Sequence, residues 1–363
     1  MKDDLIVIGG GPAGTAAAIS AAVAGVRVVL LERGSFPRHK VCGEFVSAES
    51  LDLLASLLAP EQALLTQAVR VSKARLFVDG QVLESAIDPA AASIARFELD
   101  ISLWNAAQRA GVEVYQERAV SRISGDGPFV VTKGEQTFEA SSVINASGRW
   151  SNLNATLSPN GKPVRKWLGV KAHFAETAPS GSVDLYFFNN GYCGVQPLQL
   201  LADKQVRLNV CAMVRADVAT TLEEVFAQHP SLHERSRGWQ RLTSPVTTSP
   251  LSFRKPKPLQ GNIFMVGDTA GFVDPFVGDG ISLALRSGRL AAQSLVPFFR
   301  SEITLEEAAG SYRKHYEREL LPVLRSSSKI RCLFALPKMM RVTLMLLFQG
   351  APALTRYVVR KTR

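Results

Sequence analysis

Cysteine is scarce. Four occur in 363 residues, Cys42, Cys193, Cys211 and Cys332, and no two form a C-x-x-C pair. That excludes a disulfide-stapled scaffold and the familiar zinc modules, and it fits a reducing compartment. Low-complexity tracts, internal repeats, a Gly-x-Ser-x-Gly elbow and a Walker A loop are all missing. With 46% apolar and 20% charged residues, disordered and collagen-like classes are also out. The length predicts two domains. His229 and His233 are spaced i, i+4, but Pro230 follows His229 and no third ligand is near, so no metal is expected. Long hydrophobic runs are lacking too. Leu5–Val26 is uncharged for 22 residues, yet Gly9-Gly10-Gly11-Pro12 interrupts it, and Asp3 and Asp4 remove the positive flank of a signal peptide. A cytoplasmic protein is expected.

Acidic residues are absent from one region. Between Lys329 and Arg363 there are eight basic residues and no acidic one, and removing them lowers the net charge from +10 to +2. Leu333, Phe334, Leu336, Met339, Met340 and Leu344–Phe348 are interleaved with them. Basic and apolar residues together favour an anionic membrane surface over nucleic acid. The uncharged run Val342–Thr355 has 14 residues, with Gly350 and Pro352 inside, whereas a spanning helix needs about 20. The expectation is peripheral contact through 329–363 at the inner face of the membrane. The alternative is a helix packed on the body with its basic side to water.

What is present begins at once. Leu5-Ile6-Val7-Ile8 reads as a parallel strand buried on both faces. It runs into Gly9-Gly10-Gly11-Pro12-Ala13-Gly14, an Ala-rich helix to about Ala24, and a second strand, Arg27–Leu31, ending at Glu32. Gly9 allows the tight turn, Gly11 lets backbone approach a pyrophosphate, and Gly14 lets helix and strand pack closely. Glu32 is placed to accept hydrogen bonds from a ribose diol, which favours FAD or NAD over NADP. Downstream, Asn262–Val266 reads as a buried strand ending in Gly267-Asp268, and Gly280 opens a helix through about Pro297. A second glycine-rich strand-to-helix element is what an extended, permanently held FAD requires. Asp268 can hold the ribityl hydroxyls, and amides at the Gly280 helix start can face the flavin N1–C2=O edge.

GGGPAG with Glu32 and GDTAGFVDPFVGDGI resemble the two ends of the FAD site in the para-hydroxybenzoate hydroxylase-fold flavoproteins. Arg38-His39-Lys40-Val41-Cys42-Gly43 is similar to the basic-x-x-C-G segment of their geranylgeranyl reductase-like branch. The resemblance implies an α/β fold: a Rossmann-type FAD-binding domain, an inserted and mostly antiparallel substrate-side sheet, and a helical C-terminal segment. It implies FAD contacts from Gly9, Gly11, Pro12, Ala13, Gly14, Glu32, Arg33, Arg38, Cys42, Gly43, Arg96, Gly267, Asp268, Pro275, Gly278, Gly280 and Ile281. Asn145–Ser151 falls where the hydroxylases carry G-A-D-G-x-x-S, with Ser147 in place of the aspartate. That departure weakens an aromatic-hydroxylase reading.

Domain bounds follow from where these pieces return: 1–75, 93–155 and 260–300 for the FAD domain, 76–92 and 156–259 for the substrate-side sheet, and 301–363 for the helical segment. Ala74–Val78 and Gln81–Ala86, joined by Asp79-Gly80, read as a hairpin. Leu168–Phe174, Val183–Phe188, Gly194–Leu198 and Val206–Val214 read as strands. Tyr192 and Pro197 match a cavity-lining motif of the resembled enzymes, whereas Gly194 stands where they carry tryptophan, which predicts a roomier cavity and disfavours halogenation. Cys42, beside a basic cluster, is the candidate proton donor. The expected activity is FAD-dependent reduction of C=C bonds in a hydrophobic isoprenoid or lipid-like substrate, with NAD(P)H or another reductant as electron donor. A monooxygenase acting through a flavin hydroperoxide is the alternative, and a non-catalytic membrane-docked flavoprotein the third reading.

Overall fold

The computed structural model describes residues 3–61, 63–149, 153, 166–177, 179–201, 205–251, 253–334 and 336–351. The expected Trp150-Ser151 end of the Asn145 segment, and Arg356, Arg360, Lys361 and Arg363 of the basic tail, lie outside them.

Two sheets organise the chain. The first is built on parallel strands in the order β17 (Ile263–Met265), β9 (Gln136–Asn145), β1 (Asp3–Ile8), β2 (Val28–Leu31) and β6 (Glu113–Tyr115). β16 (Leu259–Gln260) pairs antiparallel with β17, and β7 (Arg122–Gly125) and β8 (Phe129–Lys133) extend from β9. Side-chain alternation explains the continuous apolar run in β1. Leu5 and Val7 enter a core shared with α1 (Pro12–Val23), α4 (Arg96–Arg109), α7 (Gly280–Phe299) and α8 (Leu305–Glu319). Ile6 and Ile8 enter the opposite core with Phe129 and Val131. Short helices α2 (Leu51–Leu58) and α3 (Ala63–Thr66) close the first core at its edge.

The second sheet has the order β14 (Gln240–Arg241), β10 (Trp167–Thr177), β13 (Gln205–Arg215), β12 (Gly191–Leu200), β11 (Val183–Phe188), β4 (Val69–Val78), β5 (Gln81–Ser93) and β3 (Phe45–Val46). β15 (Val246–Leu251) also pairs with β10. Every described pairing is antiparallel except β11 with β4. The predicted hairpin is present, with longer arms. Along β10 the even positions Leu168, Val170, Ala172 and Phe174 pack under α5 (Leu222–Phe226) and α6 (Pro230–Ser236). The odd positions Gly169, Lys171 and His173 therefore face the first sheet. His229, at the start of α6, packs its ring against Tyr186 and Phe77. The chain ends in α9 (Leu321–Phe334) and α10 (Lys338–Gly350).

Candidate active site

The junction of the two sheets is built on glycine. Gly9 leaves β1 at φ +106°, and a Cβ on Gly14 would sit 1.8 Å from the Gly9 carbonyl oxygen. Any side chain at position 14 would push α1 off the turn. Gly11 caps the start of α1 and Asp279 that of α7, and neither start has a side-chain cap hydrogen bond. These are the helix ends where the dipole favours anions. Both starts line one groove of about 700 Å³.

Cations dominate that groove. Arg33, Arg38, Lys40, Arg96, Arg118 and Arg149 all line it. Burial, together with the Arg38 and Arg96 guanidinium groups nearby, lowers Lys40 to about 8. Glu32 closes the β2 end. Its Oε2 accepts from the Gly10 amide (2.8 Å), and its Oε1 accepts from the Gly34 amide (2.9 Å) and pairs with Arg38 (2.8 Å). Burial opposes ionisation of Glu32, but Arg38 and the two amides outweigh it and hold the carboxyl below its ordinary range. Arg96 is aimed by Asp100, at 2.7 and 2.8 Å. Asp268 pairs with Arg149 at 3.3 Å, and Arg149 lies 3.7 Å over the Phe272 ring.

Of the residues named from sequence, Gly9, Gly11, Pro12, Ala13, Glu32, Arg33, Arg38, Cys42, Gly43, Arg96, Tyr192, Gly267, Asp268, Pro275, Gly278, Gly280 and Ile281 line the groove. Gly14 sits behind the turn, against Gly9. A cationic groove lined by two helix starts and by the acid at the end of β2 fits a dinucleotide diphosphate. The Gly11 Cα faces open groove, since a Cβ there would have its nearest neighbour, Arg96 Nη2, at 3.8 Å.

One cluster beneath the groove escaped sequence reasoning. Glu44 is fully buried in the left-handed region at φ +58°. Its Oε1 accepts from the Arg96 amide (2.8 Å) and pairs with buried Lys171, while Oε2 meets His173 Nε2 at 2.8 Å. Burial opposes the charge on Glu44, but the hydrogen bond to His173 and the Lys171 ammonium hold its carboxyl below the ordinary range. The Glu44 amide donates to Cys42 Sγ (3.4 Å), and Asn209 Nδ2 donates to the Cys42 carbonyl (3.0 Å). The cluster thus positions the Arg38–Gly43 segment along the groove. A signal existed: Lys171 and His173, spaced i, i+2, interrupt an apolar strand.

Beside the groove lies an apolar chamber of about 210 Å³. β4, β5, β11 and β12 supply Ala74, Leu76, Leu83, Leu185 and Gly194, and the 275–278 segment supplies Phe276. α9 and α10 supply Ile330, Leu333, Leu344, Met345 and Phe348. Gly43, Phe45, Tyr192, Cys211, Pro275 and Gly278 border both spaces, so chamber and groove share a wall. Tyr192 and Phe276 meet edge to face, with centroids 6.0 Å apart. α9 is tied to the same segment: Ser327 Oγ accepts from the Asp274 amide (3.0 Å), and Arg331 pairs with the Asp274 carboxyl (3.3 Å). Burial nonetheless pushes Asp274 up to about 7.

Known proteins bear on this geometry. A curated relative, digeranylgeranylglycerophospholipid reductase 2 of Methanopyrus kandleri, is 26% identical over 92% of this chain and 87% of its own length. Tryptophan 2-halogenase of Chondromyces crocatus is also 26% identical, over 87% of this chain and 65% of that protein. The crystal structure of a geranylgeranyl bacteriochlorophyll reductase-like protein from Thermoplasma acidophilum superposes with a TM-score of 0.77. It is 19% identical over 99% of this chain and 95% of its own, a likeness of fold. The family described as FAD binding domain matches residues 2–326, the span that holds both helix starts, Glu32 and Asp268. The chain belongs to this FAD binding domain family of oxidoreductases.

Proposed function

We propose that the protein reduces C=C bonds in a hydrophobic isoprenoid or lipid-like substrate, with NAD(P)H or another reductant supplying electrons. The observation that carries this reading is the apolar chamber sharing a wall with the cofactor groove. Its volume of about 210 Å³ exceeds the roughly 150 Å³ that suffices to bind benzene in an engineered apolar cavity. Leu76, Leu185, Phe276 and Met345 offer apolar contact to a branched hydrocarbon chain and exclude water from the reacting bond. Residues of the groove would hold FAD, which when bound would supply a hydride equivalent.

The chain's own residues do the rest. Glu44 and Asn209 hold Cys42 in the groove lining, with the Arg96 guanidinium beside it. We assign Cys42 as the group that delivers the proton to the second carbon. Hydride and proton together add two hydrogens across the double bond, and Cys42 is reprotonated from solvent. Similarity to digeranylgeranylglycerophospholipid reductase 2 supports the choice of a reductase. Gly194, where the resembled enzymes carry tryptophan, lines the chamber.

The test is anaerobic mixing of the reduced holoenzyme with a polyprenyl lipid. The expected result is recovery of oxidised-flavin absorbance driven by the lipid alone, with a product heavier by two hydrogens. Reoxidation that requires oxygen, with an oxygenated or halogenated product, would overturn the reading.

A further inference from the structure

Helix α10 is apolar on two faces. Successive helical residues turn by about 100°. Leu344, Met345 and Phe348 therefore share one face, against the chamber. Met339 and Leu346 fall on the opposite face, with Leu347 and Met340 on the flank between. Their exposures are 84, 53, 60 and 54%. Eight large hydrophobic residues are exposed among those described, and half of them lie on this one 13-residue helix. A surface so concentrated marks an interaction site.

The helix is held rigidly in place. Arg341 makes a two-pronged pair with Asp79 at the tip of the β4–β5 hairpin (2.7 and 2.8 Å). Gln349 Nε2 donates to the carbonyl of Val82 (2.9 Å), itself an exposed apolar residue. Arg341 and Gln349 thus fasten α10 to the hairpin and leave the outward stripe exposed. The two C-terminal helices carry one sign of charge, while Asp79 and exposed Glu84 lie on the neighbouring hairpin. No acidic residue follows Glu319, and Arg325, Lys329 and Lys338 are exposed on α9 and α10.

We infer that this face of α10 seats in the plane of an anionic lipid bilayer. Four large apolar side chains enter the headgroup–acyl boundary, and the flanking Lys and Arg meet the acidic headgroups. No described helix is long and apolar enough to cross a membrane. The inner face of the same helix lines the chamber, so docking places the chamber directly beneath the lipid. A lipid substrate then enters past α10 without crossing water. This last point rests on the reading of the preceding subsection; the docking itself does not.

Co-sedimentation of the FAD-loaded protein with vesicles tests the proposal. Vesicles of phosphatidylcholine mixed with phosphatidylglycerol are compared with phosphatidylcholine alone, using the parent chain and Met339→Glu/Leu346→Glu/Leu347→Glu. The parent is expected to bind the anionic vesicles, and the triple variant to lose at least about tenfold in partitioning with its flavin spectrum intact. Should the glutamates prevent folding, serine at the same three positions gives the same comparison. Equal binding by parent and variant, or no binding by the parent, would overturn the proposal. So would a parent that dimerises in solution through this face while the variant stays monomeric. Anionic-vesicle binding without turnover of any polyprenyl lipid would uphold the docking and remove the isoprenoid reading instead.

Discussion

Replacing Glu44 by Gln tests the buried cluster most directly. The substitution keeps the size of the side chain and an acceptor for the Arg96 amide, but removes the charge facing Lys171 and His173. Lys171 is 1% exposed, so solvent cannot take over as its partner. Breaking a fully buried pair on one side costs about 3–5 kcal/mol, a large part of a total stability of about 5–15 kcal/mol. Guanidinium unfolding of parent and variant at neutral pH should therefore show a stability gap of that size. Adding Lys171→Met should recover a substantial part of the loss, because the stranded charge is gone. A gap below about 1 kcal/mol, or a double variant no more stable than Glu44→Gln, would refute the reasoning.

Gly11→Val should abolish FAD loading while leaving the melting temperature of the apoprotein unchanged, since the new side chain enters open groove rather than core; normal flavin content would remove the assigned diphosphate position. Lys40 gives a pH dependence of FAD affinity. Its pKa of about 8 means that it is cationic below that pH and loses its charge above it. An anionic ligand raises that pKa, so affinity should fall as pH rises through about 8, by at most roughly tenfold per unit. Titration by fluorescence quenching measures this, and Lys40→Met should flatten the profile.

Much of the site was legible because its chemistry is local. A β-strand, a glycine turn and a helix start are contiguous in sequence, and Gly9, Gly11 and Gly14 serve backbone geometry that few other residues tolerate. The same holds for Gly267–Ile281, and for Glu32 at the end of the second strand. Apolar alternation in β10 and β13 was equally readable, since period-two burial is a property of one strand. The Glu44 cluster was not. Its members lie 127 and 129 residues apart, and only the crossing of the two sheets brings them together.

The C-terminal segment shows the same division. Composition alone marked 329–363 as basic, apolar and free of acids. It could not say that α10 would turn Leu344, Met345 and Phe348 toward a chamber and leave Met339 and Leu347 outside. Periodicity assigns residues to helix faces, but what each face meets depends on the Arg341–Asp79 pair and on a hairpin more than 250 residues earlier in the chain. Local backbone chemistry was therefore determined by sequence. The shared wall between groove and chamber, the buried charges beneath it and the two-sided helix were decided only by packing, where distant side chains compete for the same space.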